Sequence, residues 1–304
     1  MEQRPFGAVG ELVSALGFGA APLGGEYGAL DDGEAQRAVH AALDQGIDVF
    51  DTSPYYGRTV SETRLGAALD GRRHEAFLIT KCGRYDKASF DFSPARIATS
   101  VKESLQRLRT DHVDLLLAHD VEFGDLARIE AETLPALVKE RDSGRTRYIG
   151  VSGYPIPALL RLVERFPLDA VLTYCNYNLL SRAAAPLIEL AQARGVAVIN
   201  ASTLHMGVLT PGGPPDWHPA PPEVKSVGRQ VVELCRAHGA DVVDVALRYA
   251  LALPGVACTL VGMKAAEEVA PNVSALGKPV PAELLGRLEA LIAPVRDRTW
   301  PSGR

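Results

Sequence analysis

The sequence predicts an α/β protein, a (β/α)8 TIM barrel with an N-terminal β-hairpin and an extra C-terminal helix, spanning residues 1–304 as a single domain. Three observations carry that expectation. Helix-like and strand-like patterns alternate along the chain in about eight units, the number that closes such a barrel. Most helical stretches are followed by a glycine stop and then a β-branched run, the repeated signature of a helix-to-strand connection. Three consecutive strand-like runs also end at polar, titratable side chains, and the carboxyl ends of barrel strands are where chemistry is expected. An open doubly wound sheet usually carries a glycine-rich phosphate loop after its first strand. Here Leu16-Gly17-Phe18-Gly19-Ala20-Ala21 offers only Gly17 and Gly19.

Taken in order, residues 1–12 read as a hairpin around 7–10 that would plug the barrel floor, and a first strand falls near 15–19. Asp31 and Glu34 stand at capping-box spacing before an amphipathic stretch over 35–45. Gly46 stops it ahead of a strand at 47–50. A short helix over 61–69 precedes the strand 77–80. Ser93-Pro94 starts a helix that runs to about 109, since proline suits a first helical turn. The strand 113–118 follows. Further helix–strand pairs are expected at 133–142 with 148–151, 157–165 with 170–174, and 183–193 with 196–199. The last strand is 259–261, followed by helices over 267–276 and 282–292. The segment 203–222 contains Pro211-Gly212-Gly213-Pro214-Pro215 and Trp217-His218-Pro219. Irregular loops of this length are uncommon unless functional or disordered.

The bulk numbers narrow the function classes. The chain has 304 residues, 47% hydrophobic and 23% charged, with a net charge of −5. That balance speaks against a nucleic-acid groove or a polybasic membrane surface. No apolar run reaches the roughly 18 residues of a membrane span, and the N-terminal residues lack a signal-peptide core. Cys82, Cys175, Cys235 and Cys258 are scattered without a C-x-x-C pair, so reduced, buried thiols in a cytoplasmic protein are expected. Cys82, beside Lys81, is the one candidate for an oxidation-sensitive thiol. No metal is expected.

The chemistry-bearing residues sit close to the strand ends. Asp51 and Tyr56 lie in Val49-Phe50-Asp51-Thr52-Ser53-Pro54-Tyr55-Tyr56-Gly57, Lys81 ends the run 77–80, and His119 ends 113–118. Strand side chains alternate, so an inward Lys81 implies inward Ile79 and Phe77, and an inward His119 implies inward Leu117 and Leu115. The lower barrel would be apolar and its rim polar. A free phenol, with a pKa near 10, is a poor base at neutral pH. A buried ammonium beside it favours the phenolate, and a carboxylate holds that ammonium in place. A histidine can orient a substrate oxygen or pass a proton. Each residue alone has a plain structural role; jointly they suit proton transfer at an oxygen whose carbon gives or receives hydride. No side chain supplies hydride, so a nicotinamide cofactor is implied.

Asp51-Thr52-Ser53-Pro54-Tyr55-Tyr56-Gly57, Lys81 and His119 resemble the catalytic tetrad of the aldo-keto reductase family. The likeness extends through Ile149-Gly150-Val151-Ser152-Gly153 and the segment 262–272. Lys81-Cys82-Gly83-Arg84-Tyr85, Phe90-Asp91-Phe92-Ser93, His119-Asp120 with Glu122-Phe123, Trp217-His218-Pro219-Ala220 and Thr299-Trp300-Pro301-Ser302-Gly303 are similar to its sugar-oxidising members. The resemblance implies a dinucleotide lying extended across the carboxyl end of the barrel. Tyr56 would be the general acid/base, tuned by Lys81 and Asp51, with His119 orienting the reacting oxygen. Gly19, Ala20, Ser152, Gly153, Tyr174, Ser202, Leu204, Met206, Gly262, Lys264, Glu268 and Asn272 would bind cofactor. Arg84, Tyr85, Asp120, Glu122 and Trp217, with Tyr56 and His119, would bind substrate.

The departures bear on cofactor choice. Glu268 stands where many reductases of the family carry an arginine that grips the 2′-phosphate of NADP, so NAD is expected over NADP; Lys264 could partly replace the missing guanidinium. Pro271 stands where a glutamate often contacts adenine, and Ala201 where an aromatic often stacks on nicotinamide. The implied activity is an NAD-dependent aldose 1-dehydrogenase acting on a sugar such as L-galactose, L-fucose or D-arabinose. The protein would be a monomer or homodimer with no nucleic-acid or membrane partner. The alternatives are an NADPH-dependent carbonyl or aldehyde reductase with the same tetrad, or a cofactor-binding regulatory subunit.

Overall fold

The computed structural model describes residues 1–25 and 28–302. Gly303, the last residue of the terminal motif, lies outside the described residues. Eight strands close into a barrel: β1 (Leu16–Gly19), β2 (Val49–Asp51), β3 (Phe77–Cys82), β4 (Val113–Ala118), β5 (Thr146–Gly153), β6 (Ala170–Tyr174), β7 (Ala197–Ala201) and β8 (Cys258–Gly262). Each pairs in parallel with its sequence neighbour, and β8 closes on β1. The expected (β/α)8 architecture is therefore present.

The register explains the polar rim. Ile79 pairs with Leu115 and Lys81 with Leu117, so these four side chains face the same side. Phe77, Ile79, Leu115 and Leu117 pack with Val49, Leu172, Ile199 and Leu260 as the barrel's interior cluster. Lys81 and His119 continue those inward rows one step above the apolar layers. At the floor, Gln3–Pro5 pairs antiparallel with Leu12–Ser14. Phe6, from the connecting turn, is buried with its ring 4.8 Å from that of Phe77 and 5.8 Å from that of Tyr148. The hairpin plugs the bottom, as its sequence suggests.

The helices start where their caps lie. Asp31 accepts from Glu34 N, and Glu34 returns the bond to Asp31 N, opening α1 (Asp32–Asp44) with a reciprocal capping box. The helix expected at 133–142 begins earlier: Asp125 caps a turn at Leu126–Arg128, a π turn spans Ile129–Thr133, and an α-helix runs over Leu134–Asp142. Pro135 lacks the N–H that would continue the ladder, which accounts for the wide turn ahead of it. Two helices that the sequence reading left unassigned, Pro222–Ala237 and Val242–Leu251, fill the interval before β8. Their signals were Pro222 in the first turn and the Asp241 cap on Val243 N. Residues 203–221 are otherwise irregular apart from one short turn, His205–Gly207.

All four cysteines are free and buried. Burial pushes the Cys82 thiol up to about 12, so it does not have the lowered pKa and exposure that oxidation-sensitive thiols need. Among the described residues, no helix is long and apolar enough to cross a membrane.

Candidate active site

Asp51 is the last residue of β2 and Lys81 the penultimate residue of β3, and both are buried. The Lys81 ammonium donates to Asp51 Oδ1 at 2.7 Å, to Asp51 Oδ2 at 2.6 Å and to the Thr52 carbonyl at 2.8 Å. All three of its donors are therefore used, and its charge is fixed in one place. Burial pushes the Asp51 carboxyl up and the Lys81 amine down, each opposed by the charge of the other.

Tyr56 reaches this pair through the turn that follows β2. Tyr56 N donates to Ser53 O at 3.1 Å and Thr59 N to Pro54 O at 2.8 Å. Gly57 has φ +59°, and a Cβ there would collide with the Gly24 backbone. Only glycine allows that approach, which packs the tyrosine loop against the chain after β1. The Lys81 ammonium then lies 4.7 Å from the centroid of the Tyr56 ring.

His119 follows β4, with its ring edge-on to Tyr56 at 5.7 Å. Its Nδ1 is 3.0 Å from Ser53 Oγ, and Ser53 Oγ accepts from Tyr55 N at 3.1 Å. A ring proton on Nε2 faces Asp120 Oδ2, 3.7 Å away, and leaves Nδ1 to accept the serine hydroxyl hydrogen, so this tautomer suits both sides of the ring. Burial, with the Lys81 and Arg84 charges nearby, holds His119 well below the usual imidazole range. At neutral pH it is a neutral donor from Nε2.

A second tier surrounds these residues. Arg84 and Asp120 form a buried ion pair. The Arg84 guanidinium lies 3.9 Å from the centroid of Tyr55, 5.4 Å from Phe90 and 5.1 Å from Phe123. Asp120 Oδ2 is 3.7 Å from His119 Nε2. Glu122 Oε1 accepts from Ser302 Oγ at 2.8 Å, Tyr154 N at 3.1 Å and Tyr174 Oη at 3.5 Å. The C-terminal tail thus returns to the barrel mouth, where Trp300 is buried, stacked on Tyr154 at 5.2 Å and edge-on to His205 at 5.0 Å.

Two sugar-pocket candidates are not brought into this group. Tyr85 accepts from Gly83 N at 3.2 Å, and Arg96 of the helix Pro94–Leu108 lies 4.2 Å from its ring, so it faces that helix. Trp217 is 63% exposed on the 203–222 loop. Ser53, Tyr55 and Ser302 were not singled out in the sequence. Tyr55 and Ser53 sit inside the tyrosine motif, and that adjacency was the available signal. Ser302 lies in the terminal motif 299–303, which was given no role of its own, and it meets Glu122 only through the fold.

The cofactor candidates form a contiguous stretch of rim. Ser152 is buried at the end of β5, accepting from Asp120 N at 3.2 Å, with Gly153 beside it. Tyr174, Ser202, Leu204, Met206, Gly262, Lys264 and Glu268 keep partly open positions from β6 round to the chain after β8. Ala201 pairs with Tyr174 across β6 and β7, and the Tyr174 ring lies 5.5 Å from that of Tyr154. Ser202, His205 and Met206 take left-handed backbone conformations, and His205 N donates to Ser202 O at 2.9 Å within the turn. Gly19 is partly open and Ala20 buried, its N–H donating to Asp51 O at 2.8 Å. Asn272 is buried in the helix Val269–Ser274. Glu268 accepts from Lys264 N at 2.7 Å and Ala265 N at 3.3 Å, so its carboxylate engages main-chain donors just ahead of the short turn Ala266–Glu268.

The family model for the aldo/keto reductase family matches residues 15–293. The chain belongs to the aldo/keto reductase family. Within it, the sequence is 43% identical to L-galactose dehydrogenase of Arabidopsis thaliana, over 100% of this chain and 98% of that protein. It is 34% identical to D-arabinose 1-dehydrogenase of Saccharomyces cerevisiae, over 84% and 81%, and 30% identical to D-threo-aldose 1-dehydrogenase of a Pseudomonas species, over 94% and 97%. Among solved structures, the holo form of aldo-keto reductase AKR11C1 from Bacillus halodurans superposes with a TM-score of 0.82 at 27% identity, covering 100% of this chain and 99% of that one. The chain is an oxidoreductase, and its family uses nicotinamide cofactors.

Proposed function

We propose that this enzyme is an NAD-dependent aldose 1-dehydrogenase that oxidises a sugar such as L-galactose at C1 to the lactone. The observation that carries the reading is the fully engaged Lys81 ammonium, held by Asp51 and Thr52 under the ring of Tyr56. Likeness over the full length to an L-galactose dehydrogenase, and to two further sugar 1-dehydrogenases, supports the substrate class.

Each side chain has a defined task. The fixed positive charge favours the phenolate of Tyr56, which takes the proton of the C1 hydroxyl as the C1–O bond becomes a carbonyl. Asp51 keeps the ammonium in place. Neutral His119 donates from Nε2 to the same oxygen and orients it. A bound nicotinamide cofactor would supply the acceptor for the hydride that leaves C1. Ser152 and Tyr174 would hold its ring end, the 202–206 turn its pyrophosphate, and 262–272 its adenosine end. Arg84 and Asp120 present a rigid pattern of donors and acceptors for ring hydroxyls, with Tyr55 beside them as an apolar face. The four buried free thiols accord with a cytoplasmic location.

The test is a matrix of L-galactose, L-fucose and D-arabinose against NAD and NADP, read as reduced cofactor. The proposal expects NAD-linked oxidation, fastest with L-galactose. No product from any sugar, together with brisk NADPH-dependent aldehyde reduction, would reject it. Glu268→Arg removes the carboxylate that a 2′-phosphate would meet. It is expected to move the NADP/NAD ratio of kcat/KM by at least about tenfold, the change that 1.4 kcal/mol represents. An unchanged ratio would place the discrimination elsewhere.

A further inference from the structure

Glu122 has an asymmetric carboxyl. Oε1 takes three donors, Ser302 Oγ, Tyr154 N and Tyr174 Oη. Oε2 is buried and has no partner among the described residues. It lies against Gly153, where an added Cβ would come within 2.7 Å of it. A carboxylate spreads charge over both oxygens and needs donors on both; a carboxylic acid puts an acceptor on one and its proton on the other. The ionised form would bury a charged Oε2 with no donor on it, whereas protonation leaves a neutral hydroxyl there, the less costly of the two.

The charged surroundings agree. On its own loop, Asp120 is two residues away. Arg84, from beyond β3, is committed to Asp120. From β5 the facing group is Tyr154, from β6 Tyr174, and from the tail Ser302. Burial and the Asp120 charge hold the phenol of Tyr174 well above its ordinary range, so it remains a donor. No cation pairs with Glu122 among the described residues.

We propose that Glu122 is a positioning residue that works as a neutral acid, protonated on Oε2, clasping the C-terminal tail and the ends of β5 and β6 around the barrel mouth. It acts through Ser302 and Tyr174 and not on the reacting atoms. Burial and Asp120 raise the carboxyl to about 7, so the clasp ionises near neutrality. The folded value lies above the unfolded one. The native state therefore holds this proton more tightly, and that stabilisation is complete below the ordinary glutamate range and is lost as pH rises through about 7. The role of the clasp in turnover rests on the sugar-oxidising reading; its protonation does not.

Glu122→Gln preserves an acceptor and a donor at fixed charge, whereas Glu122→Ala removes both. Thermal unfolding of the wild type and both variants, at about pH 4, below the ordinary glutamate range, and at about pH 8, needs neither sugar nor cofactor. The glutamine variant is expected to match wild type on the acid side and to melt higher on the alkaline side, with the alanine variant lower throughout. The kcat/KM profile for sugar is expected to fall on the alkaline side in wild type and to flatten in the glutamine variant, within about twofold of the acid-side value, whereas alanine costs about tenfold, one to two hydrogen bonds' worth. Melting curves of wild type and glutamine variant that run parallel across this range would overturn the proposal. So would a glutamine variant as impaired as alanine, because that would show the carboxylate itself is required. Melting as expected with no sugar oxidation by the wild type would reject the substrate reading and leave the clasp standing.

Discussion

Lys81→Met lowers both turnover and stability, and the two losses have separate causes. Methionine fills most of the lysine stem's volume, so packing is kept. The three bonds from Nζ to Asp51 and Thr52 are lost. Asp51, already pushed up by burial, is left without its counter-charge inside the barrel. Removing one partner of a buried pair typically costs about 3–5 kcal/mol. The carboxyl relieves part of that by taking up a proton, so the variant is expected to be most destabilised at alkaline pH and least at acid pH. Turnover falls because the ring of Tyr56 loses the cation 4.7 Å from its centroid. The phenolate is then no longer favoured by a neighbouring charge, and the rate falls by about two to three orders of magnitude at neutral pH, within the range that general acid–base groups contribute. Thermal melts across pH and steady-state rates check the two effects independently. A variant with wild-type turnover would show that the ammonium does not tune the tyrosine.

Tyr56→Phe is the second large effect. It removes one oxygen and leaves the ring that packs edge-on to His119 at 5.7 Å. The turn is held by main-chain bonds and by the close approach of Gly57 to Gly24, neither of which involves the phenol. Stability and cofactor affinity are expected to stay near wild type while kcat falls about 100- to 10,000-fold. Fluorescence titration with NADH separates binding from chemistry. Persistent turnover would remove Tyr56 from the acid/base role.

The barrel was legible because its signals are local. Capping residues such as Asp31 and Ser93, glycine stops and β-branched runs each act over a few positions. The alternation of Phe77, Ile79 and Lys81 places the ammonium on the inner face before any coordinates are known. Asp51, Lys81 and His119 were readable because each falls at or next to a strand end, and strand ends converge in a closed barrel. The second tier was readable only in part. Arg84 and Asp120 meet across two strands. Tyr85 is the neighbour of Arg84, yet it turns toward Arg96 because residues in the extended segment Arg84–Asp86 alternate sides. Ser302 contacts Glu122 across 180 residues of chain, and no periodicity encodes such a pairing. The interval 223–251 went unassigned because its helix signals follow directly on a proline-rich loop, whose punctuation masks a proline-initiated helix.

The central claim is that C1 of an aldose gives up hydride at this site while Tyr56 takes the hydroxyl proton. The most direct measurement uses L-galactose carrying deuterium at C1, with NAD and the purified enzyme, and follows the isotope by mass spectrometry of the reduced cofactor. The account predicts one deuterium per reduced nicotinamide and an unlabelled lactone. Reduced cofactor without deuterium, or label retained in the sugar product, would contradict it.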